Sequence, residues 1–189
     1  MKTAPSNDRI KFLNHQWDSC RNGNQKLADF MFGSGKKVWW KCAEGEDHIW
    51  QASIVTRING SECPMCAGRR IVKSNCLLTT NPALAKEWHP TKNGNLAPDT
   101  VYGGSERKVW WLCPKSPDHE YESQIKTRFV GGGCPICNGK KVVASNSLAK
   151  THPDLISEWH PTKNTLTPKD VVAGSDKIVW WVCKKKSKA

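Results

Sequence analysis

The pentapeptide VWWKC (38–42) recurs as VWWLC (109–113) and again as VWWVC (179–183). The first interval is 109 minus 38, or 71 residues, and the second is 179 minus 109, or 70 residues. Two adjacent tryptophans followed by a cysteine at a nearly constant spacing indicate an internal repeat. The 189-residue chain is therefore expected to consist of small tandem units.

The repeat extends well beyond the pentapeptide. At an offset of 71 the first two units share a His, an Arg and a CPxC pair, at His48, Arg57 and 63–66 in one and at His119, Arg128 and 134–137 in the other. The stretch NPALAKEWHPTKN (81–93) likewise matches HPDLISEWHPTKN (152–164) at 71, and QWDSCRN (16–22) is a degenerate copy of EWHPTKN. Each unit therefore begins with a lead-in that contains a tryptophan.

Two units are complete, and a third stops after Cys183 with KKKSKA (184–189). We expect this third unit to be cut short, the alternative being a native half-unit that packs on its neighbour. A lone Cys183 is not expected to hold metal. The predicted layout is a degenerate lead-in (1–33), module 1 (34–73), a helical linker (74–102), module 2 (103–141), a second helical linker (142–172) and an incomplete third module with a basic tail (173–189).

Local patterns predict a hairpin in each module. KKVWWKC (36–42) and HIWQASIVTR (48–57) read as two strands, because apolar and polar residues alternate along them. NPALAKEW (81–88) reads as a short helix with Asn81 as N-cap and Pro82 in its first turn, and His152 takes the cap position in the second copy.

Composition indicates that each module has a small core that needs a metal ion or disulfides to stabilise it. Hydrophobic residues make up 38% of the chain, with 10 Trp but only 4 Phe and 2 Tyr, and there are nine Cys. The N-terminus has no apolar run typical of a signal peptide, and no stretch is long enough to span a membrane. We therefore expect an intracellular, cytoplasmic protein whose cysteines bind metal rather than form disulfides.

Two Cys3His sets have the spacing of zinc ligands. A CPxC pair brings two thiolates onto one turn, and the hairpin supplies a Cys and a His that complete a tetrahedron. The predicted ligands of two structural zinc ions are Cys42, His48, Cys63, Cys66, Cys113, His119, Cys134 and Cys137.

The alternatives for these residues are buried apolar cysteines, a redox CxxC pair, and a surface imidazole for each His. Glu46 and Asp118 are weaker competitors for the fourth ligand position. Four protein ligands leave no open position for water, so the predicted role is structural and no catalytic residue is expected. Cys20 and Cys76 have no counterparts at the 71-residue offset and are predicted to be free thiols.

The formal net charge of +12 favours a polyanionic partner, nucleic acid above all. Basic residues recur near the predicted metal sites, including a double-basic pair after each CPxC. The predicted nucleic-acid contacts are Lys36, Lys37, Arg57, Arg69, Arg70, Arg107, Lys108, Arg128, Lys140 and Lys141. Solvation is the alternative for single lysines, and Arg57 and Arg128 have another, in which they cap carbonyls of the zinc loop or stack on a Trp.

The tryptophans divide by strand face. Trp40, Trp50, Trp111 and Tyr121 share the face of the metal ligands and are predicted to form the core. Trp39 and Trp110 point the other way. They either pack against Trp88 or Trp159 or offer stacking surfaces to unpaired bases.

These motifs resemble the tandem "probable zinc-ribbon" domains, of treble-clef type, of bacterial, phage and large-virus proteins. The shared residues are the EW, N, GS, WW, C, H, R and CPxC positions, from Trp17 onward. The resemblance implies a small zinc-stabilised α+β fold, with a β-hairpin and a CPxC knuckle in each module and short helical linkers between modules. It also implies nucleic-acid binding, and relatives sometimes accompany nuclease domains.

The sequence therefore predicts a zinc-dependent tandem module that binds nucleic acid, with double-stranded DNA favoured over RNA, as a targeting or accessory protein. One alternative is a docking module for a nuclease or another protein. A less favoured alternative is an HNH-like metal nuclease that uses His89 and Asn93, or His160 and Asn164. The chain offers no second catalytic His and no carboxylate to complete a magnesium site there.

Overall fold

The computed structural model describes residues 5–183 and shows a small α+β protein built on two separate two-stranded sheets. The predicted basic tail, residues 184–189, lies outside this range. By their contacts, residues up to 82 together with 96–105 form one unit, and residues 83–95 together with those from 106 onward form a second. None of the helices within residues 5–183 has the length and apolar character needed to cross a membrane.

The helices and strands are short. In chain order they are α1 (Asn7–His15), α2 (Ser19–Asn22), β1 (Lys37–Lys41), β2 (Ile49–Ser53), α3 (Ile54–Ile58), α4 (Leu77–Thr80), α5 (Pro82–Ala85), β3 (Lys108–Leu112), β4 (Glu120–Gln124), α6 (Ile125–Phe129) and α7 (Leu148–Thr151). Within the described part of the chain, three 3-10 helices cover Leu27–Asp29, Ala144–Asn146 and Pro153–Glu158.

Each complete unit contains the predicted antiparallel hairpin. In the first, Trp40 pairs with Trp50 across β1 and β2, and in the second Trp111 pairs with Tyr121 across β3 and β4. All four of these rings are buried, which confirms their predicted place in the core. The first core also contains Leu13 and Leu27 from the lead-in, Ile54 from α3 and Met65 from the knuckle.

The second strand of each hairpin is shorter than the alternation predicted. HIWQASIVTR does not continue as a strand to Arg57, because α3 begins at Ile54. The Ser53 hydroxyl accepts a hydrogen bond from the Thr56 amide at 3.3 Å and caps this helix. Helical spacing then directs both Ile54 and Arg57 into the core, an arrangement that a strand would not allow.

The lead-in tryptophan of each unit packs on the second tryptophan of the WW pair. Trp17 meets Trp40 edge-on with ring centroids 5.5 Å apart, and Trp88 meets Trp111 in the same way at 5.5 Å. The alternative in which Trp39 and Trp110 pack against Trp88 or Trp159 is therefore wrong. The pleat explains the result, because only alternate residues of the strand face the lead-in.

An asparagine fastens each lead-in to its strand. The Asn93 side chain accepts from the Trp110 amide at 2.7 Å and donates to the Trp110 carbonyl at 2.9 Å. Asn22 makes the same pair of bonds to Trp39, and Asn164 makes them to Trp180. These hydrogen bonds are made to the main chain of the first Trp in each WW pair. The asparagine therefore fixes that residue without covering its side chain.

The predicted linker helix is shorter than NPALAKEW, since α5 ends at Ala85. In the second copy His152 is the N-cap, as expected, but the segment Pro153–Glu158 is a 3-10 helix. The third unit keeps its lead-in contact, with Trp159 and Trp181 at 5.2 Å. Its WW segment forms no named strand within the described residues, and Trp180 and Trp181 are exposed.

We predict that Asn93→Ala lowers the free energy of unfolding by about 1–3 kcal/mol, because it leaves both main-chain groups of Trp110 without their side-chain partner. Urea denaturation of the metal-loaded protein measures the change. Asn95→Ala removes an exposed asparagine two residues away and serves as the control, with an expected change within about 0.5 kcal/mol. Equal effects of the two substitutions would contradict the bracing role.

Candidate metal centres

Hairpin and knuckle together position each set of predicted ligands. Cys42 directly follows β1 and His48 directly precedes β2, and the Cys42 amide donates to the His48 carbonyl at 3.0 Å. Cys113 and His119 are related in the same way, at 3.1 Å. Because the strands are paired, the first Cys and the His emerge side by side at one end of the hairpin. The CPxC turn, which follows α3 or α6, supplies the other two thiols.

The structure brings together the same eight residues that the spacing selected. In each set the four ligand atoms lie within 4.8 Å of one another, and most of the residues are buried. The sulfur atoms of Cys42 and Cys66 are 3.7 Å apart, as are those of Cys113 and Cys137. The nearest sulfur lies 3.4 Å from Nδ1 of His48, and 3.4 Å from Nδ1 of His119.

These separations fit a tetrahedral zinc ion. Zn–S bonds of about 2.3 Å and a Zn–N bond of about 2.0–2.1 Å give edges of about 3.8 Å between sulfurs and about 3.6 Å from sulfur to nitrogen. A disulfide requires sulfurs only about 2.05 Å apart. Each set can therefore hold a metal ion, and its three sulfurs and one imidazole are the donors that zinc prefers.

The knuckle is a rigid turn anchored in the core. Met65, inside the CPMC turn, is fully buried, as is Ile136 in CPIC. The chain reverses at Gly68 with φ of 65°, and a Cβ there would lie 2.4 Å from the Tyr102 ring. Only glycine fits this position, because it tolerates the left-handed conformation and leaves room for the tyrosine.

One thiol in each site resists ionisation. Burial, reinforced by the neighbouring thiols Cys42 and Cys63, raises the pKa of Cys66 to about 12. The same causes raise the pKa of Cys137 to about 11. Without a metal these two thiols therefore keep their protons at neutral pH, and metal binding must release them.

A serine and an aspartate support the ligand histidine of the second unit. Nε2 of His119 lies 3.0 Å from the Ser145 hydroxyl, and the Ser145 amide donates to the Asp118 carboxylate at 2.9 Å. Hydrogen bonds from Ser116 and Ser145 lower the pKa of Asp118 to about 2, so it stays an acceptor. A partner on Nε2 leaves Nδ1 free to face the metal.

The first unit uses the same residue types in a different arrangement. The Ser74 hydroxyl donates to Asp47 at 2.5 Å rather than meeting His48, whose Nε2 is buried without a partner. Sequence reasoning missed both serines. Their signal is the pair Ser74-Asn75, repeated at offset 71 as Ser145-Asn146. Each asparagine donates to a knuckle carbonyl, Asn75 to Met65 and Asn146 to Ile136.

Arg57 and Arg128 are buried, which corrects their predicted role as surface contacts for nucleic acid. Arg57 is 0% exposed and Arg128 is 9% exposed. Each guanidinium donates to a carbonyl of the loop before the knuckle, Ser61 or Gly132, and to a lead-in side chain, Gln16 or Glu87. They also lie over the paired core rings, Arg57 at 5.2 Å from both Trp40 and Trp50.

Both arginines therefore cap carbonyls of the zinc loop and stack on a core Trp, as the alternative interpretation predicted. Burial lowers the pKa of Arg57 to about 10, which leaves it cationic at neutral pH. A zinc ion with three thiolates carries a net negative charge, and a nearby buried cation offsets it. This is a physical reason for an Arg at the same place in both units.

The other eight basic residues of the predicted set are exposed. The double-basic pairs follow the knuckle turn closely: the Arg69 and Arg70 amides both donate to the Pro64 carbonyl, at 2.8 and 3.1 Å. The Lys140 and Lys141 amides donate to Pro135 in the same way, at 2.8 and 3.2 Å. Lys36 also stacks its ammonium on Phe30, at 4.9 Å.

His89 and Asn93, the candidate nuclease residues of the first copy, make hydrogen bonds within the fold. The buried His89 accepts from the Thr91 and Lys92 amides through Nδ1, at 3.3 and 3.2 Å, and its Nε2 lies 2.9 Å from Glu120. Asp18 caps the equivalent turn of the first unit by accepting from the Arg21 amide. This position therefore needs a hydrogen-bond acceptor, not an imidazole as such. Cys20 and Cys76 stand outside both metal clusters.

A family model described as a probable treble-clef zinc finger domain matches residues 13–69, 84–140 and 155–189. The chain belongs to this family, and the domain is repeated three times along it. The predicted tandem treble-clef fold is thereby confirmed. The search of curated proteins found no match for the chain.

We predict that natively purified protein contains two zinc ions per chain and that Cys63→Ser lowers this to about one. Elemental analysis measures the ratio, and thermal melting should show loss of the first unit, since metal binding and folding are coupled. Cys20→Ser, which removes an exposed thiol outside both clusters, is the control and should retain both ions. Full zinc content in Cys63→Ser would contradict the assignment.

Ser145→Ala should weaken zinc binding in the second unit by about 10-fold or more, the usual effect of losing a partner of a ligand histidine. Competition with a chromophoric chelator measures the affinity of each site. Ser74→Ala is the matched comparison and should cost less, because the Ser74 hydroxyl faces Asp47 rather than the histidine. The reverse order would contradict this assignment of the two serines.

Proposed function

We propose that the chain is a zinc-stabilised tandem module that binds nucleic acid, with DNA favoured over RNA, as a targeting or accessory protein. The observation that carries the proposal is the exposed double-basic pair fixed to each metal knuckle, at Arg69–Arg70 and Lys140–Lys141. An intracellular, cytoplasmic location would follow from such a partner.

The knuckle holds its basic pair in a defined place. Both main-chain amides of the pair donate to a proline carbonyl inside the CPxC turn, and the central residue of that turn is buried. The side chains stay exposed while their Cα positions are fixed by the metal loop. Fixed cations at equal sequence spacing suit phosphate groups, which carry charge but little sequence information.

Net charge supports the same partner. The chain carries 29 Lys and Arg against 17 Asp and Glu, an excess of 12. Two of the arginines are buried as internal countercharges, but the other eight basic residues of the predicted set are exposed. A basic surface of this size attracts a polyanion over distances comparable to the Debye length.

We assign zinc a structural role in both sites. All four positions of each tetrahedron are taken by protein atoms, so no position is left for a substrate or an activated water. We therefore propose that the protein binds its partner and has no catalytic residues. The zinc ions act by holding the basic pairs and the hairpin in a fixed relation.

We predict that binding of duplex DNA weakens steeply with salt and that Arg69→Ala/Arg70→Ala reduces the slope of log K against log salt by about 0.9 for each lost phosphate contact. Fluorescence anisotropy at several salt concentrations measures the slope. Lys11→Ala/Lys26→Ala removes two exposed lysines outside the predicted contacts, so it is the charge-matched control. A slope near zero for the unmodified chain would overturn the proposal.

Exposed apolar residues of the third unit favour a second candidate, a docking module for a protein partner such as a nuclease. Ile178, Trp180 and Trp181 are all exposed, at 101%, 58% and 43%. Under this hypothesis the purified protein does not bind DNA or RNA. A pull-down from nuclease-treated lysate recovers a stable protein partner. Recovery of that partner should then be lost in Trp180→Ser/Trp181→Ser.

A further inference from the structure

The two hairpins differ on the face that points away from the core. In the first unit this face presents Lys37, Trp39 and Lys41 from β1 and Gln51 from β2, and we call these four residues the aromatic–basic face. Both lysines and Gln51 are exposed, and Trp39 is half-buried. On this face of the five-residue strand, the Trp39 indole therefore has a lysine two residues away on each side.

The Trp39 ring is held in place by contacts that leave it accessible. Asn22 binds the main-chain amide and carbonyl of Trp39, at 2.9 and 2.8 Å. The Arg21 guanidinium lies 5.8 Å from the ring centroid, and Asp18 holds that guanidinium at 2.9 Å. The ring is therefore preorganised by a turn of the lead-in, which lowers the entropic cost of stacking a ligand on it.

The equivalent face of the second unit carries two carboxylates as well as the exposed Lys108. Trp110 lies directly across from Glu122, where Trp39 faces Gln51, and Leu112 pairs with Glu120. Lys92, at the place of Arg21, lies 4.7 Å from the centroid of the Trp110 ring and forms an ion pair with Glu120. Lys41 is replaced by Leu112. The second hairpin therefore keeps the half-buried tryptophan, but a lysine ammonium already lies over its ring, and the two carboxylates on the same face repel phosphate.

We propose that the aromatic–basic face of the first unit binds unpaired nucleotides, with a base stacked on Trp39 and the flanking phosphates held by Lys37 and Lys41. This inference rests on the proposed function and deepens it: the knuckle pairs hold backbone phosphates, and this face adds recognition of exposed bases. A base offers its π-face to a side chain only when it is unstacked, so the ligand is a single strand or a single-stranded end.

Charge and geometry both favour this partner. Stacking on aromatic rings combined with a basic surface is the usual means of binding single strands without sequence preference. An acidic peptide would satisfy the lysines but would leave the indole without a flat partner. Lys37 and Lys41 are four residues apart, about 13 Å along the strand, with Trp39 midway between them. Each lysine can therefore reach a phosphate on a different side of the stacked nucleotide.

The test uses the full zinc-loaded chain and three labelled oligonucleotides of 15 positions: single-stranded DNA, an abasic strand with the same phosphates, and a duplex. We expect the unmodified chain to bind the single strand more tightly than the abasic strand. Trp39→Leu should lower single-strand affinity by about 10-fold, the scale of one lost base stack, and leave abasic and duplex binding nearly unchanged. Trp110→Leu is the matched control and should change none of the three affinities.

A second variant keeps the test decisive if Trp39→Leu does not fold. Gln51→Glu installs the carboxylate that stands at position 122 in the second unit, a substitution that this hairpin already tolerates in its other copy. It should weaken single-strand binding several-fold with unchanged zinc content and thermal melt. Unchanged affinity in a folded Gln51→Glu protein would count against the inference.

The outcomes separate this inference from the proposed function. Equal binding of single-stranded and abasic DNA, with a normal salt dependence, overturns the stacking site but leaves phosphate binding standing. Equal losses in Trp39→Leu and Trp110→Leu also overturn it, because the asymmetry of the two faces is its basis. Failure of the unmodified chain to bind any of the three overturns both proposals.

Discussion

Three sulfur atoms and one imidazole nitrogen converge within 4.8 Å in each complete unit, and the rest of the structure depends on that convergence. Burial raises the pKa of Cys66 and Cys137, so these thiols release their protons to solvent only when a cation binds in their place. The strands have five residues and the helices of each knuckle region only one turn, too little to persist without support. A zinc ion held by these four atoms would supply free energy that a larger apolar core would otherwise provide.

Around the metal centre, both complete units have the same three packing contacts. A lead-in Trp packs edge-on against the buried Trp of the WW pair, and an Asn fastens the turn to the strand edge. A buried Arg joins the loop before the knuckle to the lead-in. In the first unit its partner is the neutral Gln16, whereas in the second Glu87 adds an ion pair. The lead-in is therefore part of the domain's packing, and the two copies differ in how their buried charge is balanced.

Much of the site could be predicted from sequence because metal chemistry restricts both residue type and spacing. The eight ligands, the hairpins and the buried rings followed from a repeat read at 71-residue intervals. The extent of the second strand did not, since Ile54 and Arg57 fit both a strand and a one-turn helix until the cap at Ser53 is seen. The roles of Ser74 and Ser145 were missed because the repeated Ser-Asn pair does not show which side chain each serine meets, and His119 and Ser145 are 26 residues apart in the sequence.

Sequence by itself determined the number of units, their metal-binding residues and the basic character of the chain, because these depend on composition and on local spacing. Only the tertiary structure decided which cations face solvent. Arg57 and Arg69 look equally suited to phosphate in the sequence, yet one is enclosed between two rings and the other is exposed on a turn. The physical reason is that burial is a property of the neighbours a residue acquires on folding. The contrast between Gln51 and Glu122 likewise has meaning only through the register that sets each opposite a tryptophan.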